Sequence, residues 1–123
     1  MSETGAIAAY AEGFRERRRL RAEASARRTD QLRRRARQAA ALLGARFGVS
    51  RVWLFGSLAW SAAHPESDVD LLVEGLPATA WSEATGLVEE SVATAVDLIR
   101  VEEAAPSLSE RVRREGILLY ERR

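Results

Sequence analysis

Asp68 and Asp70 stand one residue apart at the head of an apolar run, Asp68-Val69-Asp70-Leu71-Leu72-Val73. If this run is a β-strand, successive side chains alternate between faces. The two carboxylates then share one face while Val69 and Leu71 point into the core. Two strand steps of ~3.3 Å separate them by about 7 Å, a spacing that lets hard divalent cations sit between oxygen ligands. Upstream, the short aromatic and β-branched run Val52-Trp53-Leu54-Phe55 stops at Gly56-Ser57. This reads as a buried strand ending in a tight turn. Gly56 permits a backbone approach that a Cβ would block. Ser57 is placed to open a short helix to about Ala63, whose free N–H groups would favour an anion such as phosphate. A phosphate-binding turn beside a carboxylate pair suited to Mg²⁺ suggests phosphoryl or nucleotidyl transfer.

A third acid, Asp97, interrupts the later apolar run Val96-Asp97-Leu98-Ile99. Read as an interior strand position, it would bury a carboxylate at a cost of several kcal/mol unless a metal or an active-site edge receives it. The elements that position these acids follow from periodicity. Residues 4–47 carry helical spacing at Ile7, Tyr10, Ala11 and Phe14, and again at Leu32, Ala36, Ala39, Ala40, Leu43 and Phe47. They form one long helix, or two broken near Thr29-Asp30 with Asp30 as a cap, and Gly48 is the C-cap. Thr79 would cap a helix running to about Glu90, with Ala80, Ala84, Leu87 and Val88 inward. Ala95 to Val101 reads as the third strand. Ser107-Leu108-Ser109-Glu110 is a capping-box pattern for a helix that Gly116 stops, and Ile117 to Tyr120 is a last strand. The expected fold is α/β, a small mixed sheet of about four strands near Val52, Val69, Val96 and Ile117 with helices packed on it. Residues 1–29 form an Arg-rich helical extension and residues 30–123 the domain.

Composition narrows the chemistry. All 19 basic residues are Arg, there is no Cys, and His64 is the single histidine. Lysine nucleophiles, Schiff bases, Walker A loops, thiolate sites and multi-His zinc sites are thereby excluded, leaving carboxylates and Mg²⁺ with Arg for phosphate. Gly-Ser-Leu-Ala-Trp is not a nucleophile elbow, and His64 reads as a connector residue. Trp53 and Trp81 read as core, Arg100 as a surface residue. No apolar run approaches the ~18 residues of a membrane span, and no secretory signal pattern opens the chain; the composition is compatible with the cytoplasm. Charge is split: residues 1–50 hold 12 Arg and 5 acids, and residues 51–123 hold 7 Arg and 13 acids. The asymmetry hints at an anionic partner for the first part. A solvated helix, a docking surface for a protein or a second copy (a homo-oligomer), and RNA binding are the readings of the Arg-rich arm. No RNA-binding motif accompanies it, so direct nucleic-acid binding is not expected.

Gly56-Ser57, the ten residues Leu58 to Ser67, and Asp68-Val69-Asp70 have the spacing of a known signature. With Ser67 to Val73, Val96 to Ile99 and Glu115 to Glu121, the chain from about Gln31 onward resembles the minimal nucleotidyltransferases of the polymerase-β-like superfamily. The resemblance implies a nucleotidyltransferase fold and two-metal nucleotidyl transfer. In it Asp68, Asp70 and Asp97 match the catalytic and metal-binding carboxylates. Asp97 is the third acid, which activates the acceptor hydroxyl, and Gly56 and Ser57 match the triphosphate contacts. It also implies two Mg²⁺ ions, ATP as substrate, and a HEPN-family toxin as partner, with AMP transferred to a toxin tyrosine by the chain acting as antitoxin. One departure stands out: many relatives carry an Arg where this chain has Trp60, a role that Arg46, Arg51 or the arm could take over. The alternatives are a binding protein that neutralises its partner by contact, and nucleotidyl transfer to a small molecule or an RNA end.

Overall fold

The computed structural model describes residues 3–60 and 68–123. Helix α1 (Glu3–Phe47) is continuous over 45 residues, so Asp30 caps nothing. Thr29 lies mid-helix, where its hydroxyl donates to the Ser25 carbonyl at 3.0 Å, and Ala and Arg on either side are good helix formers. Gly48 closes the helix at φ +67°, donating its N–H to the Gly44 carbonyl. There follow β1 (Arg51–Phe55), α2 (Ser57–Trp60), β2 (Val69–Glu74), α3 (Trp81–Val92), β3 (Val96–Arg100), α4 (Pro106–Glu115) and β4 (Ile117–Glu121). His64 and the expected remainder of the helix opened by Ser57 lie outside the described residues.

The four strands form one mixed sheet in the order β3-β2-β1-β4. β1 runs antiparallel to both β2 and β4, and β2 runs parallel to β3 with α3 as the crossover. Alternation along the strands divides the core in two. Val52, Leu54, Val69, Leu71, Val73 and Leu98 face α3 and the C-terminal part of α1, meeting Leu32, Leu43, Ala84 and Val88. Trp53, Phe55 and Leu72 turn to the opposite face and meet Val112 and Leu108 of α4. Each fully buried Leu contributes about 1.5–3 kcal/mol. The stretch 5–24 of α1 has no such cover: Ile7, Tyr10, Phe14 and Leu20 are all exposed.

Several local expectations are corrected. Neither Thr79 nor Ser107 caps a helix. A 3₁₀ turn at Ala78–Ala80 precedes α3, and α4 starts two residues earlier than the Ser107 cap implies, with Pro106 in its first turn and no side-chain cap. Proline suits that position because its missing N–H would have no helical partner there. Gly116 does end α4, but in extended backbone (φ −77°). Glycine is needed there because a Cβ would stand 2.6 Å from the Val112 carbonyl and 2.9 Å from that of Leu54. Trp81 is exposed and not core, held only at its edge by an Nε1–H bond of 2.7 Å to the Leu98 carbonyl. Arg100, expected at the surface, is 12% exposed and donates to the Leu76 carbonyl while pairing with Glu103.

The seat of α1 on the sheet turns on Gly44, where a Cβ would lie 2.1 Å from the Tyr120 ring of β4. Gly44→Ala gains about 1 kcal/mol of helix propensity but forces overpacking of about 1–3 kcal/mol. The variant is expected to melt several degrees lower, measured by thermal unfolding. An unchanged or higher midpoint would show that Tyr120 moves aside freely.

Candidate active site

The carboxylates collect on the α4 side of the sheet, at the end where β1 finishes and β2 begins. Across the ladder, Phe55 pairs with Asp70 and Asp70 pairs in turn with Asp97. Asp68 stands two residues before Asp70, with Val69 between them turned into the opposite core. The alternation of β2, carried back to Asp68 immediately before it, and the parallel register of β2 with β3 therefore bring the three acids toward one face. Adjacent strands lie about 4.8 Å apart. Asp97 is exposed and not buried as its apolar neighbours suggested, because β3 is an edge strand and the helices that cover Val96 and Leu98 lie on the other face. No burial penalty needs explaining at Asp97.

Electrostatically the cluster is uncompensated. Burial, then Asp97 and Asp68 in that order, push the half-buried Asp70 carboxyl up to about 6. No arginine forms an ion pair with any of the three acids among the described residues. Gly56 is the close neighbour of this carboxylate. It sits at φ +75°, and a Cβ there would lie 2.2 Å from Asp70 Oδ2. Ser57 follows as the first residue of α2, so the turn that holds Gly56 against Asp70 leads directly into that helix.

The donor set suits a hard cation. It is all oxygen, anionic and crowded on one face, and Asp70 shows the repulsion that a positive charge would relieve. Among the described residues no three His, Cys, Asp or Glu side chains converge on a single point as a metal cluster. Mg²⁺ needs only one or two protein carboxylates, completing its shell with substrate phosphate and water. The residues therefore fit Mg²⁺, with Asp68 and Asp70 as the pair that would hold it.

Sequence reasoning missed an aromatic and cationic group at the edge of this site. The Arg111 guanidinium of α4 lies 4.1 Å from the centroid of the Trp60 ring. Trp60 donates its Nε1–H to the Glu115 carbonyl at 3.1 Å and leans on Phe55, centroids 6.4 Å apart. The only sequence signal was an Arg111–Glu115 spacing of one helical turn, common to many surface helices. The arginines considered as replacements at Trp60 are engaged elsewhere: Arg46 pairs with Glu83, and Arg51, at the far end of β1, with Glu74 and Glu121.

A four-stranded mixed sheet flanked by helices, with paired acids opposite a Gly-Ser turn, is a nucleotidyltransferase fold. The family model described as Polymerase beta, Nucleotidyltransferase matches residues 38–123, well over half of the chain, and the chain belongs to that family. Among solved structures it is similar to one assigned as a minimal nucleotidyltransferase, at 37% identity and a TM-score of 0.62, covering 72% of this chain and 93% of that one. A mutant form of a toxin–antitoxin pair that includes MntA shares 25% identity at a TM-score of 0.57, over 68% of this chain and 69% of the other. A toxin–antitoxin structure with AMP-PNP has the same fold at 23% identity and a TM-score of 0.61, over 71% and 74% of the two chains. No curated protein matches the chain. No helix among the described residues is long and apolar enough to cross a membrane.

Proposed function

We propose that this chain is a Mg²⁺-dependent protein adenylyltransferase that moves AMP from ATP to a tyrosine hydroxyl of a HEPN-family toxin and thereby acts as its antitoxin. The observation that carries the reading is the clustering of Asp68, Asp70 and Asp97 on one open sheet face, with Asp70 pushed up to about 6 by burial and its two neighbours. Such a cluster suits a site where charge is neutralised only when cation and nucleotide arrive together. Asp68 and Asp70 would hold Mg²⁺, which supplies charge neutralisation for the phosphates. Asp97, exposed and able to receive a proton, acts as general base toward the acceptor hydroxyl. The acceptor oxygen bonds to the α-phosphorus as the bond to the β-phosphate oxygen breaks, pyrophosphate leaves, and the hydroxyl proton passes to Asp97. Gly56 and Ser57 would contact the triphosphate. The likeness to a toxin–antitoxin structure at 25% identity supports the choice of partner.

The test uses ATP labelled at the α-phosphate and separately at the γ-phosphate, with Mg²⁺ and a lysate of the source organism. A protein band labelled from the α position only, lost with Asp97→Asn, is expected, the loss being about 10²–10⁴-fold. Label from the γ position alone would make the chain a kinase and end this proposal. A second reading rests on Trp60 and on the uncovered apolar residues of α1: neutralisation of a partner by contact alone. Under it, an Asp68→Asn/Asp70→Asn chain still neutralises while a chain lacking residues 6–28 does not.

A further inference from the structure

Among the described residues, Arg111 is a cation on the carboxylate side of the sheet that stands beside the site with both terminal guanidinium nitrogens unspent. α4 packs on that face through Leu108 and Val112. Its last turns deliver Arg111 onto Trp60, which leans on Phe55, itself the cross-strand neighbour of Asp70. Only the guanidinium Nε–H is committed, at 2.9 Å to Glu115. The two terminal nitrogens find no partner among the described residues, and the side chain is 55% exposed. A guanidinium stacked on an aromatic ring keeps its edge donors free, and those donors fit the oxygens of a phosphate in bidentate fashion. The other arginines of α4 are placed differently: Arg113 lies over Trp53 and binds Glu74, and Arg114 reaches back to Glu110.

Trp60 thus acts as a fixed shelf for a cation donated by α4. Phe55, the neighbour of Trp60 and the cross-strand partner of Asp70, and Gly56, held against the Asp70 carboxylate, connect that cation to the acid cluster. A ligand matching this pattern binds metal at one end and presents further anionic oxygens at the other, as a polyphosphate does. We infer that Arg111, positioned by Trp60, binds the β/γ-phosphate end of the nucleotide and the pyrophosphate that leaves. The inference rests on the nucleotidyl-transfer reading above and adds to it a residue more than one hundred positions into the chain that no motif marks.

The experiment is calorimetric titration of the full chain with Mg²⁺-ATP, Mg²⁺-pyrophosphate and AMP. Arg111→Gln is expected to weaken ATP and pyrophosphate by about tenfold to a hundredfold, the range for a lost charge-assisted bond, and AMP by less than about twofold. Arg114→Gln removes the same charge from the same helix and is expected to change none of the three appreciably. Trp60→Arg in the Arg111→Gln background, which puts a guanidinium directly on α2, is expected to recover most of the ATP affinity. A melting temperature of Arg111→Gln close to that of the parent excludes a folding defect. Unchanged ATP binding in Arg111→Gln, or an equal loss for AMP and ATP, would overturn the inference while α-label transfer by the parent chain leaves the nucleotidyl-transfer reading standing. If the parent chain binds neither ATP nor pyrophosphate, both fall together.

Discussion

Asp70→Asn is expected to lose nucleotidyl transfer by about a thousandfold, the scale for removing a preorganised charge from a reacting centre, and to melt at a higher temperature than the parent chain. The two effects have one origin. Asp70 is pushed from 3.8 up to about 6 by burial and by Asp97 and Asp68, so the folded state favours its protonated form. Its contribution to stability is fully present below about pH 3.8 and is lost as the pH rises through about 6. At neutral pH the carboxylate is ionised against its surroundings. Asparagine has nearly the same shape and no charge, and among the described residues no hydrogen bond of the carboxylate is forfeited. At a half-buried, solvent-screened group the penalty of that ionisation is about 1 kcal/mol, or roughly 3–5 °C for a chain of this size. Thermal scans with chelator present should show the advantage of the variant at pH 7 and its disappearance near pH 4. Equal midpoints at pH 7, or an advantage that grows on acidification, would remove the electrostatic account of the site.

Gly56→Ala is expected to destabilise the chain by about 2–5 kcal/mol. Two penalties add. The left-handed backbone, φ +75°, disfavours any Cβ by about 1–2 kcal/mol. The new Cβ would also lie 2.2 Å from Asp70 Oδ2, so the carboxylate or the β1–β2 pairing must shift, costing a further ~1–3 kcal/mol. The molecule separates the two penalties. Ala93 holds φ +58° at the C-terminus of α3, so this chain accommodates an alanine in left-handed backbone where space is open. Any loss at Gly56 beyond that of a left-handed alanine comes from the contact with Asp70. Combining Gly56→Ala with Asp70→Gly is expected to recover the steric share of the loss, leaving about 1–2 kcal/mol. If the double variant is as unstable as the sum of the singles, the contact between Gly56 and Asp70 is not the cause. Under the proposed mechanism Gly56→Ala displaces a metal-holding carboxylate, and α-label transfer is expected to fall with it.

Arg111 and Asp97 illustrate the difference between what adjacent residues encode and what distant ones decide. Nothing near Arg111 in the chain connects it to Trp60. Their meeting depends on α4 crossing the sheet face through Val112 and on β4 returning beside β1. Asp97 was read as a carboxylate in an apolar strand, and the apolar residues around it are indeed half-buried or buried. Its own exposure follows from β3 lying at the sheet edge with its α4-side face open, a matter of strand order that no single segment carries. Arg100 came out the opposite way, drawn inward because the Leu76 carbonyl and Glu103 await it.

The sequence by itself determined the four strands, the helical character of the Arg-rich stretch, the Gly-Ser turn and the shared face of Asp68 and Asp70, because strand alternation and helical periodicity are properties of contiguous residues. The family was legible in the same stretches. Only the tertiary structure decided that Asp97 stands level with Asp70, that Gly56 is held against the Asp70 carboxylate, and that Arg111 rests on Trp60. Each of these depends on register or packing between segments far apart in the chain. Such contacts form only when the buried apolar surface of both sheet faces offsets the entropy of closing the loops between them.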